Sequence, residues 1–299
     1  MSLLARAVSG PIKQNHFMVI YGQGGVGKST FASRFPKPIF IATEDGVNHL
    51  DVSKIREDLT FQTVMGICKE LLTTKHEYQT LVIDSLDALE FLIFNDVCKE
   101  AGKASIADIP YGQGYSQALN KWSDLVNLLK QLRSKMHIIL VAHSIIKQIN
   151  DPNLPLPFDK HVIKLHQKAA DFIKEQVDAV LFACYEVSVL KAEGGRRAKA
   201  VGEGNRILQT MASPGAEGKN RYSLPPILPL DFDEFMKAQA AADPTDPETV
   251  KMRIEKYLPQ IKDADRKKKA EEFYEKAKKG SLSDLQKLEQ KLTTIVETQ

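Results

Sequence analysis

Short apolar runs alternate with longer amphipathic stretches from about residue 16 to residue 230. The runs are rich in Val, Ile and Phe and are apolar on both faces, which is typical of strands in a covered parallel sheet. They occupy residues 17–21, 38–42, 81–84, 137–142 and 179–183. Helical periodicity fills the intervals at residues 28–35, 61–73, 86–99, 116–135 and 161–175. This alternation predicts an α/β fold with a mostly parallel sheet flanked by helices.

The pattern changes twice in the second half of the chain. Residues 186–210 hold two short strand-like runs around a Gly- and Arg-rich centre, which predicts a β-hairpin. After Asp231, the stretch AADPTDPETV is typical of a linker that enters a helix, and about three short helices follow. We therefore predict an N-terminal segment 1–15, a core 16–232 and a C-terminal helical region 233–299.

The composition excludes several classes of protein. The chain has 299 residues, 43% of them hydrophobic and 26% charged, with 41 Lys and Arg against 38 Asp and Glu and a formal net charge of +3. These values exclude a disordered chain, a fibrous chain and a highly basic coat protein. No apolar run approaches the roughly 18 residues of a membrane span, and the N-terminal apolar stretch is too short for a secretory signal. Three widely spaced cysteines indicate buried thiols in a reducing cytoplasm.

The first apolar run leads directly into a phosphate-binding loop. Residues 22–29 read GQGGVGKS, a complete G-x-x-x-x-G-K-S in the strand–loop–helix context that it requires. Its glycines let several backbone N–H groups face a polyphosphate, Lys28 would reach the β- and γ-phosphates, and the Ser29 hydroxyl would ligate Mg²⁺. The alternative is a Gly-rich turn without a ligand. The predicted nucleotide-binding residues are Gly22, Gln23, Gly24, Gly25, Val26, Gly27, Lys28, Ser29 and Thr30.

Polar side chains end three further predicted strands, at the same edge of the sheet as this loop. Asp84 closes the strand TLVID, a Walker B arrangement that supplies a second Mg²⁺ ligand. Glu44 is the candidate base that polarises water, with Asp45 in reserve. His143 stands where a side chain can hydrogen-bond the γ-phosphate and report its loss. The structural alternatives are a helix cap for Asp84, an exposed loop acid for Glu44 and a buried structural imidazole for His143.

The order of these motifs resembles that of the RecA-type ATPases over about residues 16–230. Residues 219–225 read KNRYSLP and look like the Lys-Asn-Lys segment of bacterial RecA, whose two cations reach the ATP bound by a neighbouring subunit. The resemblance therefore implies that Lys219 and Arg221 act in trans on γ-phosphate charge. The alternative is a pair of surface cations on a strand.

The whole pattern is most similar to the phage RecA-like single-strand annealing ATPases, the fourth Sak group. The shared features are ATEDG at 42–46, DS-x-x-x-L at 84–89, VAHS at 141–144 and KNRYSLP at 219–225. His143 stands where RecA carries a glutamine. RecA's large N-terminal helix and C-terminal domain are not evident in the sequence.

This resemblance implies a function. We expect an ATP- and Mg²⁺-dependent, DNA-stimulated ATPase of phage-type recombination that binds single-stranded DNA in the cytoplasm of a bacterial host. It would form a homo-oligomer, either a filament or a ring, and a single-strand-binding protein is a partner by family analogy. The alternatives are a helicase-like ring motor or helicase loader, and a nucleotide-gated DNA-binding scaffold with negligible turnover.

Two segments are candidates for the DNA contacts that the resemblance implies. They are residues 99–114 and 144–164, both expected as loops, and they combine cations for phosphates with aromatic rings for bases. Asp151, Asp159 and three prolines in the second segment also suit an ordinary surface loop. The basic hairpin at 191–206 is a further candidate. The predicted DNA contacts are Lys103, Tyr111, Lys147, Phe158, Lys160 and Lys164.

Overall fold

The structure is a computed structural model. It describes residues 7, 12, 14–152, 155–190, 199–201, 204–242 and 247–297. The chain divides into two compact units, one of residues 14–235 and one that includes residues 236–297. In the described part of the chain, the strands are β1 (Phe17–Gly22), β2 (Pro38–Ala42), β3 (Ser53–Ile55), β4 (Thr80–Asp84), β5 (His137–Ile149), β6 (Phe158–Ile163), β7 (Ala179–Tyr185), β8 (Ser188–Leu190), β9 (Lys199–Val201), β10 (Arg206–Gln209), β11 (Lys219–Asn220) and β12 (Ile227–Pro229).

The helices carry the amphipathic stretches. They are α1 (Lys28–Ser33), α2 (Phe61–Thr73), α3 (Leu86–Ala101), α4 (Gln113–Leu132), α5 (Gln167–Gln176), α6 (Phe232–Ala242), α7 (Pro247–Tyr257), α8 (Ala264–Ala277) and α9 (Leu282–Glu297). Local signals set several ends: Thr60 and Thr63 form a capping box at the start of α2, and Gly102 ends α3 at φ 62°. In the described part of the chain, no helix has the length and apolarity to cross a bilayer.

The sheet of the first unit has the strand order β12-β10-β7-β1-β5-β4-β2-β3. The pairs from β7 through β3 are parallel, whereas β10, β11 and β12 pair antiparallel at one side. Every residue of β1 and β4 is buried, because helices cover both faces of these central strands. The predicted α/β fold with a mostly parallel sheet flanked by helices is confirmed.

The strand order determines where the predicted site residues meet. The strand β5 lies between β1, which leads into the phosphate loop, and β4, which ends in Asp84. The register places Gly22 beside His143, and Asp84 beside both Val141 and Ala42. Four strand ends that are far apart in the sequence therefore converge at one carboxyl edge of the sheet.

One segment differs from its predicted structure. The segment 144–164 was expected as a loop that leads into a helix from 161, but its residues 144–149 and 158–163 pair as an antiparallel ribbon of β5 and β6. Both segments are rich in β-branched and aromatic residues, and the pairing sets apolar partners opposite each other, as with Ile145 and Val162 and with Ile149 and Phe158. The following helix, α5, consequently begins at Gln167.

The hairpin predicted at 186–210 is present as the pairing of β8 with β9 and of β7 with β10. Its Gly- and Arg-rich tip, residues 191–198, lies outside the described residues. The short strand β3 and the helix α6 were not predicted.

The second unit has a small core of its own. It is built by α7, α8 and α9, and its buried side chains include Ile254, Tyr274 and Leu285. The Ser281 hydroxyl accepts from the Asp284 backbone N–H at 3.4 Å and so caps α9. These helices correspond to the three that the sequence predicts after its proline-containing linker.

Candidate nucleotide site

The phosphate loop connects β1 to α1 and depends on glycine at three positions. Gly25 and Gly27 adopt φ values of 77° and 110°, in the left-handed region that side chains disfavour. At Gly22, an added Cβ would lie 2.1 Å from the carbonyl oxygen of Ala183 on β7. The glycines therefore shape the loop and let it approach the neighbouring strand closely.

Lys28 is buried at the mouth of this loop. Its Nζ donates to the carbonyl oxygens of Gly22 at 3.0 Å and Gln23 at 2.7 Å. Burial lowers the pKa of the Lys28 ammonium, and the carboxylates of Asp84, Asp87 and Glu44 act in the opposite direction. A buried cation held by neutral carbonyls is suited to receive the negative charge of a phosphate.

Asp84 and Ser29 meet beside Lys28, as the sequence predicts for a metal site. Asp84 is 6% exposed, and its Oδ2 is buried without a hydrogen-bond partner among the described residues. Burial raises the pKa of the Asp84 carboxyl, and a hydrogen bond from the Ser29 side chain partly offsets this. A carboxylate oxygen without a partner next to a hydroxyl fits the oxygen ligands that Mg²⁺ prefers. Ser29 and Asp84 can therefore hold this ion.

Glu44 reaches the same cluster from the end of β2. Its carboxylate accepts a hydrogen bond from the Ser85 hydroxyl, and its Oε1 lies 3.8 Å from Nδ1 of His143. The Thr43 hydroxyl joins the ends of β2 and β4, since it donates to the Ser85 carbonyl at 2.9 Å and accepts from the Ser85 N–H at 2.7 Å. Asp45, the reserve base, is exposed and begins a short 3₁₀ turn. Glu44 is the better placed acid of the two.

Asp87 is a site residue that the sequence reasoning missed. Its carboxylate accepts from the His143 backbone N–H at 3.1 Å, and its Oδ2 lies 3.1 Å from Nδ1 of the His143 ring. The hydrogen bond to Asp87 raises the pKa of the His143 imidazole. Burial acts to raise the pKa of Asp87, but the hydrogen bonds from His143 outweigh burial and lower it. Because Asp87 holds Nδ1, Nε2 is the ring nitrogen that can bind a ligand.

The signal for Asp87 was present in the sequence. It stands three residues after Asp84, in the first turn of α3, next to a strand end that carries chemistry. The ligand atoms of Glu44, Asp87 and His143 lie within 4.8 Å of one another. A pocket of about 570 Å³ borders this cluster and is also lined by Phe91 and Lys164.

Lys219 and Arg221 lie away from this cluster. Lys219 pairs with Val180 near the amino end of β7, whereas the loop residue Gly22 pairs with Ala183, about 10 Å further along that strand. The Lys219 ammonium donates to two carbonyls in the last turn of α5, at 2.8 and 2.9 Å. Arg221 is largely exposed and lies 3.5 Å from Asp178. The structure therefore does not bring these two cations to the phosphate loop of their own chain.

The residues predicted to contact DNA lie in two separate parts of the structure, the segment between α3 and α4 and the β5–β6 ribbon. Tyr111 is 98% exposed between α3 and α4, in a segment that also exposes Lys103. On the ribbon, Lys147 lies directly opposite Lys160, and Phe158 lies opposite Ile149.

Lys164 differs from the other candidates for DNA contact. It lies at the base of the ribbon, and its Nζ donates to Oδ2 of Asp87 at 3.4 Å. It therefore joins the nucleotide cluster to the ribbon.

A comparison with known families assigns a family to this chain. A family model described as an AAA domain, AAA_24, matches residues 14–222. The uncharacterized SPbeta prophage-derived protein YorG of Bacillus subtilis is 25% identical over 158 residues, which are 48% of this chain and 44% of that protein. The match thus spans less than half of that relative. Among solved structures, the flagellar accessory protein FlaH of Methanocaldococcus jannaschii aligns with 70% of this chain and 84% of its own at 15% identity and a TM-score of 0.34.

The buried carboxyl of Asp84 yields a first prediction. Folding raises the pKa of the Asp84 carboxyl. The folded state therefore loses stability as pH rises from the unfolded pKa through the folded pKa. Asp84→Asn should therefore raise the free energy of unfolding above neutral pH by on the order of 1 kcal/mol, while lowering ATP turnover at least about a hundredfold. Urea unfolding in EDTA and a turnover assay measure the two effects.

The exposed acid Asp51 provides the matched control. Asp51→Asn should leave both quantities unchanged, because its side chain lies outside the cluster. An Asp84→Asn protein that is less stable than wild type, or that turns over ATP normally, would contradict the assignment.

The pair of His143 and Asp87 yields a second prediction. A raised histidine pKa stabilises the fold below the unfolded pKa, and this stability is lost as pH rises through the folded value. Asp87→Asn should therefore destabilise the protein more at about pH 6 than at about pH 9 and lower turnover about tenfold or more. Unfolding at the two pH values and NMR titration of the His143 ring test this expectation, with the exposed Asp124→Asn as control. A loss of stability independent of pH would refute it.

Proposed function

The chain belongs to the AAA_24 family of AAA domains and is a P-loop NTPase by its fold, and from this premise we propose that it is an ATP- and Mg²⁺-dependent ATPase that binds single-stranded DNA. It would promote annealing or strand pairing in phage-type recombination. The observation that carries this proposal is the convergence of Lys28, Asp84, Glu44 and His143 at one sheet edge, joined to the ribbon through Asp87 and Lys164.

The cluster supports hydrolysis of the γ-phosphate. Lys28 neutralises charge on the β- and γ-phosphates, and Mg²⁺ would be held by Ser29 and Asp84. Glu44 would orient a water molecule and accept its proton. The water oxygen would bond to the γ-phosphorus while the bond between that phosphorus and the bridging oxygen breaks. Nε2 of His143 would contact the γ-phosphate and lose that contact when phosphate leaves.

The ribbon supports a nucleic-acid partner. Two like charges placed directly opposite each other on a strand pair, as Lys147 and Lys160 are, destabilise the pair unless an anion lies between or beside them. The ammonium of Lys147 donates to the Gln167 side chain at 3.2 Å and is attracted by Asp171, so Lys160 is the better placed of the two for a further anion. A DNA phosphate is such an anion, and Phe158 on the same face supplies a ring on which a base can stack. Tyr111, exposed in the other predicted segment, adds a second ring.

The contacts at the base of the ribbon support coupling between DNA and nucleotide. Lys164 contacts Asp87 through its ammonium, and its backbone N–H donates to the carbonyl of His143 at 2.9 Å. Loss of the γ-phosphate contact at His143 therefore reaches the ribbon through two adjacent hydrogen bonds. We propose that this path lets ATP hydrolysis change how tightly the ribbon binds DNA.

The position of two cations supports assembly of several subunits. Lys219 and Arg221 lie too far from the phosphate loop of their own chain to serve it, so we propose that they act on the nucleotide of a neighbouring subunit in a filament or ring. A single-strand-binding protein is a proposed further partner. The prophage-derived relative supports a phage setting in a bacterial cytoplasm.

ATP turnover with and without single-stranded DNA tests the proposed function. Single-stranded DNA should raise turnover of the wild type about tenfold or more, and Lys28→Ala should lower it at least about a hundredfold. The exposed Lys75→Ala is the matched control and should behave as wild type.

Other outcomes point to other functions. The recombination proposal fails if single-stranded DNA does not change the rate of ATP turnover and the protein forms no complex with DNA in the presence of a slowly hydrolysed ATP analogue. Unwinding of a forked duplex by discrete rings would indicate a helicase-like motor. Nucleotide-gated DNA binding that Glu44→Gln leaves unchanged would indicate a scaffold.

A further inference from the structure

We infer that Tyr185, Arg206 and Leu230 form the subsite for the nucleoside of the bound nucleotide. This inference rests on the proposed function, since it requires a nucleoside triphosphate in the phosphate loop. None of the three residues carries a recognisable sequence motif. The structure brings them together from the ends of β7, β10 and β12.

The strand order assigns the direction in which the nucleotide leaves the loop. The residues proposed to act on the γ-phosphate all lie on one side of β1, at the ends of β5, β4 and β2. A triphosphate that has its γ end at this cluster and its middle on the loop must direct its α end to the other side of β1. That side is occupied by β7, β10 and β12.

The sheet register puts the three residues side by side at the edge of the loop. Gly22 pairs with Ala183, and Tyr185 lies two residues further along β7, beyond the end of β1. Arg206 is the partner of Tyr185 across the antiparallel pair, so the two side chains share a face. The Leu230 N–H donates to the Arg206 carbonyl at 2.8 Å and places Leu230 next to them.

The guanidinium of Arg206 packs directly on the phosphate loop. Its Nη1 donates to the Val26 carbonyl at 3.4 Å. A Cβ at Gly27 would lie 2.7 Å from that nitrogen and 3.5 Å from Cδ2 of Leu230. A side chain at Gly27 would displace the Arg206 guanidinium, whereas Leu230 lies at ordinary van der Waals distance from this position.

The surface that results is open and has the chemistry of a nucleoside site. Tyr185 is 42% exposed, and Arg206 is exposed as well. Because Arg206 contacts a neutral carbonyl, its remaining donors can bind the α-phosphate or the ribose hydroxyls. The Tyr185 ring and the Leu230 side chain offer apolar area on which a base can stack. The ligand class is a nucleoside 5′-triphosphate, and stacking alone accepts any base.

Binding of Mg²⁺–ATP compared with Mg²⁺–inorganic triphosphate tests this subsite, because the second ligand has no nucleoside. Calorimetry on the full chain should show that Tyr185→Ala and Arg206→Ala each weaken ATP binding about tenfold. Binding of inorganic triphosphate should change much less. Tyr185→Phe keeps the ring and should keep the affinity for ATP, and Arg56→Ala is the control for loss of an exposed arginine.

The outcomes separate this inference from the proposed function on which it rests. Equal loss of affinity for both ligands in the Ala variants would mean that the residues only support the loop, and it would overturn the inference. Unchanged affinity for ATP would overturn it as well. In both cases the wild type still binds ATP, so the proposed function stands. A wild type that binds neither ligand would refute the proposed function and the inference together.

Discussion

The buried charges of Lys28 and Asp84 are the constraint on which the site depends. Each is taken out of water by the strands around it, yet Lys28 is held by neutral carbonyls and Asp84 keeps an oxygen without a partner among the described residues. Burying charge in this way is costly unless something compensates it. The two opposite charges compensate each other in part. We propose that a polyphosphate and a divalent cation compensate what remains of the electrostatic cost.

The position of β5 is the reason that we propose signalling from this site. Because β5 lies between the loop strand and the Asp84 strand, His143 faces both, and the same strand continues outward as one half of the ribbon. Asp87 fixes the histidine from α3, and Lys164 ties that contact to the other half of the ribbon. His143 in the middle of β5 and the proposed DNA surface on its last six residues therefore belong to one continuous strand.

Local sequence patterns predicted most of the core but few of its long-range contacts. The phosphate loop, the five central strands and the helix α2 follow from periodicity and glycine spacing, which act within a few residues. The ribbon was missed because its stability comes from pairing β5 with β6 across a loop. Arg206 was missed for a similar reason, because its role depends on strand order and register, which no local pattern specifies. Asp87 could have been found, because it stands in the first turn of the helix that follows the Asp84 strand. The distance of Lys219 from its own loop is visible only in the register of β11 on β7.

We propose that a cation and a polyphosphate jointly compensate the buried charges of Lys28 and Asp84. Urea unfolding with Mg²⁺ alone, with a slowly hydrolysed ATP analogue alone and with both tests it most directly. Both together, at about a hundred times their dissociation constant, should add about 3 kcal/mol to the free energy of unfolding, well above the sum of the separate effects. An analogue that stabilises the protein as strongly in EDTA as with Mg²⁺ would contradict the claim.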